Sequence, residues 1–307
     1  MTIGKTITSE SRLGFIGLGY LGSRVARRLA AAGFTMVVHD RDREKTNELT
    51  ALGAMLAPNP ETLAEEVDVV LSCLPNDAAV KAVYLGPGRV LESARPGTRI
   101  VELSTIAPET SRLVHDTAAK FDVSMLDVAI SGSTPAAEAG ALTLFGGGER
   151  KVFDSVQRIF APIASQWFYM GPSGSGVAMK LVVNTLLGLG MQSIAEAVAL
   201  GSGLGLPREL LLDVLAKTAV VAPAHAGKLA TAKRNDYDPQ FPIRLMSKDF
   251  GLILTAAAEC GLSLPTTEAA AVVNSVEAET GGEEDFSAVI RRMEQQAGSE
   301  HALPPVA

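Results

Sequence analysis

Aromatic residues are scarce in this chain, at 5% of the sequence, with one Trp and four Tyr. An interior with so few rings has to be packed from Ala, Leu, Val, Ile and Gly, which favours helices packed against a sheet. The two cysteines, Cys73 and Cys260, lie far apart and match no zinc spacing, so neither a disulfide framework nor a zinc site is expected. Such sparse cysteine usage is typical of a reducing cytosol.

A basic excess is also missing, since 27 Lys and Arg stand against 34 Asp and Glu, a net charge of −7. Binding to a phosphate backbone requires the opposite balance, so no nucleic-acid partner is expected. The N-terminal residues contain no apolar core of a secretory signal, and we therefore expect a cytoplasmic protein. Hydrophobic residues at 47% and charged residues at 20% are typical of a globular chain.

The β-prone runs are confined to the first part of the chain. Between Leu13 and Met170 seven short runs alternate with segments of helical length, which predicts repeated βαβ units. After about Ser173 these runs stop, and long Ala, Leu and Val segments follow, broken at Gly and Pro. We predict a Rossmann-type, doubly wound α/β domain over residues 12–172 and an all-α C-terminal domain over residues 173–296, in line with a prior of roughly 150 residues per domain.

Several features that could carry other functions have simpler interpretations. The apolar stretch Leu181 to Pro207 contains Asn184 and Gln192, and is predicted to be a buried helix rather than a membrane span. The acidic run from Glu277 to Asp285 is predicted to be a solvated helix end. Glycines 146–148 precede no Gly-Lys-Ser/Thr and are predicted to form a turn. The four histidines have no partners at ligand spacing, so no metal is expected.

The clearest functional motif is Gly17-x-Gly19-x-x-Gly22, which follows an apolar run and precedes an amphipathic segment ending at Gly33. In a strand–turn–helix of this kind the first glycine permits the tight turn, the second lets backbone approach a pyrophosphate, and the third allows close helix–strand contact. The helix N-terminus adds N–H groups and a partial positive charge. This context favours a dinucleotide site over an ordinary glycine turn.

Asp40 and Arg41, at the end of the second β-prone run, favour different coenzymes. An acidic residue there accepts a hydrogen bond from the ribose 2′-OH of NAD, whereas an arginine pairs with the 2′-phosphate of NADP. Arg43 lies nearby, and Arg41 is placed to stack on the adenine and hold the phosphate. We expect NADP(H) to be favoured, and the use of NAD(H) stays open.

Lys180 and Asn184 stand four residues apart in a segment that is otherwise almost entirely apolar, so they share one face of a predicted helix. A buried ammonium needs a partner, and burial lowers its pKa towards the range in which lysine exchanges protons. That would suit a general acid or base. The alternative is a lysine whose head group reaches solvent from a core helix.

A hydroxyl-rich turn, Ser131-Gly132-Ser133, follows another β-prone run. Its backbone N–H groups and the Ser131 hydroxyl could bind a carboxylate. Taken alone, the segment is equally well explained as an ordinary loop.

In their order along the chain, these motifs resemble those of the β-hydroxyacid dehydrogenases, the family that includes 3-hydroxyisobutyrate dehydrogenase, tartronate semialdehyde reductase and the glyoxylate/succinic semialdehyde reductases. The resemblance covers about Leu13 to Arg292. It is carried by Gly17 to Gly22, Leu74-Pro75-Asn76, Ser104-Thr105-Ile106-Ala107-Pro108, Asp127 to Ser133, Gly174 to Asn184, and Phe241-Pro242-Ile243 with Lys248-Asp249. Leu21 replaces the usual Met and Ser133 the usual Gly, and both changes bear on the substrate pocket.

The resemblance implies a role for each matching residue, with Lys180 as the catalytic general acid and base. Coenzyme contacts are implied for Gly17, Leu18, Gly19, Tyr20, Leu21, Gly22, Leu74, Pro75, Asn76, Thr105 and Lys248, in addition to Asp40 and Arg41 assigned above. Substrate contacts or support are implied for Ser131, Gly132, Ser133, Asn184, Phe241 and Asp249, the last supporting Lys180. Without the resemblance, Lys248 and Asp249 would be interpreted as a surface ion pair of little consequence.

The resemblance further implies a small carboxylate substrate, hydride transfer with NAD(P)H, and a homodimer or homotetramer formed through the helical region. The apolar segments after Leu181 are themselves too hydrophobic for a small helical domain to bury alone. Two other functions occur on the same fold: an imine reductase or reductive aminase, and a non-catalytic NADP-binding scaffold. Both typically lack the catalytic lysine, so Lys180 argues against them.

Overall fold

The first half of the chain forms an eight-stranded sheet with connecting helices, and the second half is helical. A computed structural model describes residues 7, 8, 10–86 and 88–300, with side chains described up to Gln296. The strands are β1 (Arg12–Ile16), β2 (Thr35–His39), β3 (Met55–Leu56), β4 (Val69–Ser72), β5 (Arg99–Glu102), β6 (Ser124–Ser131), β7 (Leu142–Gly147) and β8 (Ala164–Gly171). The helices of this half are α1 (Gly22–Ala31), α2 (Asn47–Ala51), α3 (Pro60–Glu66), α4 (Asp77–Tyr84), α5 (Val90–Ser93), α6 (Pro108–Ala119), α7 (Thr134–Ala139), α8 (Arg150–Ser155) and α9 (Gln157–Phe160).

The helices that follow are α10 (Ser175–Gly203), α11 (Arg208–Leu215), α12 (Pro223–Lys233), α13 (Ile243–Glu259), α14 (Pro265–Gly281) and α15 (Val289–Glu300). Two 3₁₀ turns, Arg43–Thr46 and Phe286–Ala288, complete the elements. The chain divides into two compact units between Leu181 and Val182, inside α10. The boundary predicted from sequence precedes α10, because the change in composition comes before the helix and the helix runs on without a break.

The strand order is β3-β2-β1-β4-β5-β6-β7-β8. All neighbours are parallel except β6 and β7. The chain winds outward from β1 in one direction and then returns to β4 on its other side, so the winding reverses between β1 and β4. Ligands of doubly wound sheets bind at the carboxyl ends of the strands beside such a reversal. The predicted fold class is confirmed.

The central strands are buried on both faces, which explains their continuous apolar runs. In β4 all four residues are buried. Val69 and Leu71 pack into one hydrophobic core, whereas Val70 packs into a second core. Alternate side chains of one strand therefore contribute to the two layers that cover the sheet.

The sequence analysis missed β3, which has only two residues, Met55 and Leu56, paired with Val37 and Val38 of β2. Both side chains are exposed. An edge strand this short has no run of alternating or buried residues, so hydrophobic periodicity could not have found it.

Helix α10 is buried or half-buried on most of its sides, as predicted, but one apolar stripe of it is exposed. Val182 is 57% exposed and Leu186 is 70% exposed, and Leu200 lies on the same exposed stripe. Among the described residues α10 is the one helix long and apolar enough to cross a membrane by composition, and 44% of its most apolar window is buried within the chain. Buried Asn184 and Gln192 in the same helix are typical of a packed helix rather than a membrane span.

Candidate active site

The glycine turn between β1 and α1 has the geometry that its motif predicts. Gly17 has φ +92°, and a Cβ atom there would overlap the carbonyl oxygen of Cys73. A Cβ atom on Gly22 would overlap the carbonyl oxygen of Gly17. At Gly19 a Cβ atom would meet nothing within 4 Å. The turn is therefore closed by its first and third glycines and open at the second, where a pyrophosphate would fit beside the first N–H groups of α1.

The neighbouring residues of the turn differ in exposure. Leu18 is 2% exposed and lies in the core, so it presents only its backbone to a ligand. Tyr20 is 42% exposed, and Leu21 is half-buried beside the same core.

Asp40 is bound to this turn. Its Oδ2 accepts a hydrogen bond from the N–H of Leu18 at 2.7 Å, and its Oδ1 accepts from the N–H of Asp42 at 2.9 Å. The carboxylate therefore has a backbone donor on each oxygen, while Arg41 and Arg43 beside it are exposed. This arrangement weakens the repulsion that Asp40 would exert on a phosphate at the end of β2, since hydrogen bonds disperse its charge.

The segments after β4 and β5 are hydrogen-bonded to each other. The N–H of Leu74 donates to Ser104 Oγ at 2.7 Å, and the N–H of Ala107 donates to Asp77 Oδ1 at 2.9 Å. Asn76 Oδ1 accepts from the N–H of Ala79 and so caps α4. Pro75 is exposed and Thr105 half-buried in these segments. The structure therefore brings together two stretches that the sequence analysis had proposed separately as coenzyme contacts.

A buried carboxylate under these segments, Glu102, was missed by the sequence analysis. It ends β5 with no exposed surface, and it accepts hydrogen bonds from the N–H of Ser104 at 2.7 Å and from the Ser72 hydroxyl, which also contacts the Tyr84 hydroxyl. Burial raises the pKa of Glu102 to about 7, against the opposing effect of these hydrogen bonds. Burial and the nearby Glu102 also raise the pKa of Tyr84. The sequence does contain one signal for this site, because Glu102 is an acidic residue that ends the strand β5 directly after apolar residues.

Replacing Glu102 by Gln should change how stability depends on pH. Because the folded-state pKa lies above the usual value of 4.5, this carboxyl contributes stability below pH 4.5 that is lost as pH rises through about 7. The free energy of unfolding of Glu102→Gln relative to the unmodified chain should therefore rise between pH 5 and 8, by up to about 3 kcal/mol. Urea unfolding at several pH values measures this difference. The exposed Glu66→Gln is the control, and a pH-independent difference for Glu102→Gln would refute the assignment.

The proposed substrate turn lies at the end of β6. Ser131 is the last residue of the strand and pairs with Thr143 of β7. Gly132 has φ +139°, and a Cβ atom there would lie 2.7 Å from Leu142, so glycine is required at this position. Ser133 precedes α7. Ser131 and Ser133 are half-buried and Gly132 is exposed, which leaves the turn accessible to a small ligand.

Asp127, four residues earlier in β6, holds the beginning of α10. Its Oδ1 accepts from the N–H of Gly174 at 2.8 Å and its Oδ2 from the N–H of Val177 at 3.0 Å, and the Ser111 hydroxyl is a further partner. Asp127 has no exposed surface. Burial raises its pKa, and these hydrogen bonds oppose that effect.

The three glycines predicted to form a turn lie instead at the end of a strand. Gly146 and Gly147 belong to β7, and Gly148 follows it with φ +132°. A Cβ atom on Gly147 would lie 2.7 Å from Asp127 Oδ1. These glycines leave room for a neighbouring aromatic ring and for the Asp127 carboxylate. A turn rule based on local sequence takes no account of such distant neighbours, so it assigned these residues to a turn.

Lys180 is 8% exposed on α10, and Asn184, one helical turn further, is 0% exposed. Asn184 Nδ2 donates to Asp249 Oδ2 of α13 at 2.5 Å. The amide oxygen of Asn184 has no hydrogen-bond partner among the described residues. Buried polar atoms are nearly always paired, so this oxygen is suited to accept a hydrogen bond from a bound molecule.

Lys248 and Asp249 form an ion pair, with Nζ 2.8 Å from Oδ1, but it is not the surface pair that their sequence alone suggested. Asp249 is 1% exposed, because it faces Asn184 in the helical unit. Its second oxygen therefore fixes the orientation of the Asn184 amide.

Phe241 is positioned by residues that the sequence analysis did not select. Its N–H donates to Asp285 Oδ2 at 3.1 Å, and its ring packs edge-on against Phe286. Asp285 is 2% exposed and forms a buried ion pair with Lys228, 2.6 Å long. The prediction that the acidic run is a solvated helix end is therefore wrong for Asp285 and for Glu277, which is 4% exposed with arginine partners in α15, although Glu279 and Glu283 are exposed as predicted. Charge patterning compares residues within a short stretch of sequence, so it could not identify the basic partners of these two acidic residues.

The residues present fit a nicotinamide dinucleotide: an open glycine turn at a helix N-terminus, an exposed arginine at the end of β2, and two linked segments after β4 and β5. No cluster of three His, Cys, Asp or Glu side chains suitable for a metal occurs in the described part of the chain. Together, the fold and the site define an NAD(P)-dependent oxidoreductase.

Comparison with known proteins supports the assignment to the NAD(P)-dependent oxidoreductases and identifies the family within that class. Residues 12–171 match the family model for the NAD binding domain of 6-phosphogluconate dehydrogenase, and residues 174–293 match the model for the NAD-binding region of NADP-dependent 3-hydroxyisobutyrate dehydrogenase. The chain belongs to the β-hydroxyacid dehydrogenase family.

Three relatives illustrate the similarity. The chain is 34% identical to 2-(hydroxymethyl)glutarate dehydrogenase of Eubacterium barkeri, over 94% of this chain and 96% of that protein. It is 32% identical to the NAD-dependent L-serine dehydrogenase of Pseudomonas aeruginosa, over 94% and 99%. The structure of Mycobacterium tuberculosis 3-hydroxyisobutyrate dehydrogenase with L-serine superimposes with a TM-score of 0.83 at 29% identity, covering 92% of this chain and 99% of that one.

Proposed function

We propose that this protein transfers hydride between NADP(H) and a small β-hydroxyacid or its semialdehyde, with Lys180 as general acid and base. The observation that carries the proposal is the face of α10 on which Lys180 is 8% exposed and Asn184 is 0% exposed. Asn184 donates one N–H of its amide to Asp249, and its amide oxygen has no hydrogen-bond partner among the described residues. A buried lysine beside a polar atom that needs a ligand is an arrangement suited to proton transfer.

The reaction moves a hydride and a proton: when bound, the nicotinamide coenzyme would supply the hydride to the carbonyl carbon in the reducing direction and would accept it from the same carbon in the oxidising direction. In the reducing direction Lys180 Nζ donates a proton to the carbonyl oxygen, which becomes the product hydroxyl. In the oxidising direction the neutral amine of Lys180 removes that hydroxyl proton. Ser131 and the N–H groups of Gly132 and Ser133 bind the substrate carboxylate.

The names of the relatives indicate a substrate class. 2-(Hydroxymethyl)glutarate, L-serine and 3-hydroxyisobutyrate each have a CH₂OH group on the carbon that bears the carboxylate. The three differ in the third substituent on that carbon. We propose that this chain acts on the same CH₂OH–CH–COO⁻ unit, with the third substituent selected by side chains around Leu21 and Ser133.

Coenzyme-dependent absorbance at 340 nm tests this proposal with a panel of purified substrates. L-serine, 3-hydroxyisobutyrate and 2-(hydroxymethyl)glutarate should reduce the coenzyme, and glyoxylate and succinic semialdehyde test the reverse direction on simpler aldehydes. Oxidation of NADPH by a cyclic imine alone would instead favour an imine reductase. Tight NADPH binding without turnover of any compound would favour a scaffold.

The preference for NADP(H) is proposed from Arg41. Replacing Arg41 by Ala should raise the Kd for NADPH by about 10- to 100-fold, because a charged hydrogen bond to the 2′-phosphate is lost, and should change the Kd for NADH by less than about twofold. Fluorescence titration measures both constants. The exposed Arg158→Ala is the matched control. Equal effects of Arg41→Ala on the two coenzymes would refute the phosphate role.

The exposed apolar stripe of α10 supports a homo-oligomer. Val182, Leu186 and Leu200 are each more than half exposed in the single chain, and such a stripe is typical of an interface. We propose that it is covered by a second copy. Sedimentation of the purified protein as a monomer at micromolar concentration would refute this proposal.

A further inference from the structure

The beginning of α10 is held by a side chain from the sheet rather than by a residue of its own sequence. The first N–H groups of a helix lack partners within the helix. Here Asp127 of β6 binds two of them through separate oxygens, with N···O distances of 2.8 Å to Gly174 and 3.0 Å to Val177. This connection between β6 and α10 lies entirely within the first compact unit.

Two glycines make room for this carboxylate, and a third allows the backbone conformation at the start of α10. A Cβ atom on Gly147 would lie 2.7 Å from Asp127 Oδ1, and one on Gly176 would lie 2.9 Å from Oδ2 and overlap the carbonyl oxygen of Phe145. Gly174 has φ +89°, a conformation that other residues rarely adopt. Gly174 and Gly176 therefore serve the attachment of α10 to the sheet.

Asp127 also connects two parts of the proposed active site. Four residues further along β6 is Ser131, the first residue of the proposed substrate turn. On the other side, Lys180 lies in the second turn of the helix that Asp127 holds. A displacement of the helix start would move Lys180 with it, because a helix is rigid over so short a distance. Proton transfer is sensitive to displacements of about 1 Å.

We propose that Asp127 is a positioning residue, which sets the place of Lys180 relative to the substrate turn by holding the start of α10 on the strand that carries that turn. The proposal rests on the proposed role of Lys180. A residue that only stabilises the helix start would affect catalysis independently of Lys180. A positioning residue affects catalysis through Lys180, and this difference can be tested.

The variant Asp127→Asn keeps the size of the side chain but can no longer accept through both oxygens. We expect hydrogen–deuterium exchange to become faster over residues 174–178, kcat to fall by about 10- to 100-fold, and the Kd for NADPH to stay within about twofold. Ser124→Ala, a buried polar change at the other end of β6, is the control and should leave all three unchanged. Gly147→Ala keeps the charge and displaces it, and it should reproduce the fall in kcat if Asp127→Asn does not fold.

A double variant distinguishes the two roles. In single-turnover experiments Asp127→Asn should lower the rate in the unmodified chain but cause no further loss in a Lys180→Ala background. An equal further loss in that background would overturn the positioning role while leaving the role of Lys180 intact. Unchanged kcat or unchanged exchange in Asp127→Asn would also overturn it. Full turnover in Lys180→Ala alone would instead refute the proposed function.

Discussion

Replacing Lys180 by Ala is expected to lower kcat by about 10²- to 10⁴-fold, the usual loss when a positioned general acid is removed. The Kd for NADPH should change by less than about twofold, because the glycine turn and the segments after β4 and β5 do not depend on this side chain. Stopped-flow or steady-state absorbance at 340 nm, with a substrate identified in the panel, measures the first quantity. Fluorescence titration measures the second.

Lys180→Arg separates proton transfer from charge. Arginine keeps a positive charge but cannot be deprotonated in a protein, so this variant should be nearly as inactive as Lys180→Ala. Lys151, an exposed lysine in α8, offers the matched control, and Lys151→Ala should be fully active. Substantial activity in Lys180→Arg would show that charge, rather than proton exchange, is the contribution of this residue. Full activity in Lys180→Ala would eliminate it from the mechanism.

Replacing Gly19 by Val is expected to raise the Kd for NADPH by at least about 100-fold while leaving the unfolding temperature nearly unchanged. The reason is the open space at this position, where an added Cβ atom meets nothing within 4 Å in the protein itself. The branched side chain would then occupy the volume through which a pyrophosphate approaches the backbone. Thermal unfolding without coenzyme and fluorescence titration with NADPH measure the two effects.

Two other glycines serve as comparisons for Gly19→Val. Gly22→Ala should lower the free energy of unfolding by about 1–3 kcal/mol, because the new methyl group would overlap the Gly17 carbonyl and force the backbone to move. Gly227 lies in an exposed and open position of α12, so Gly227→Ala should neither lower the free energy of unfolding nor raise the Kd for NADPH. A loss of stability in Gly19→Val equal to that in Gly22→Ala would mean that the open space is not a ligand site.

Local patterns along the chain were sufficient for the α/β half. The apolar runs of β1 and β4 indicated burial on both faces, and the spacing of Gly17, Gly19 and Gly22 between a strand and a helix favoured a dinucleotide-binding turn. Lys180 and Asn184 are one turn apart because a helix repeats every 3.6 residues, whatever surrounds it. These conclusions depend on residues close in sequence, for which periodicity and backbone geometry are reliable guides.

Pairings between distant residues could not be predicted in this way. Three contacts each join elements far apart in the chain: the hydrogen bond from Ser72 to Glu102, the contact of Asp127 with α10, and the Lys228–Asp285 ion pair. The solvent exposure of Val182 and Leu186 likewise depends on which neighbours pack against α10. Composition indicated that the apolar segments after Leu181 exceed what the domain can bury, but it did not identify which side chains are exposed or which polar residues are paired.

The sequence by itself determined the fold class, the dinucleotide turn and the residues available for proton transfer, because each follows from local conformational preferences and from the chemistry of single side chains. The tertiary structure alone decided which buried charges are paired and where. Burial makes the free energy of a charge depend on its partners rather than on its identity, and those partners come together only when the chain folds. Asp127, a single acidic residue in an apolar strand, becomes the attachment point of the helix that carries Lys180.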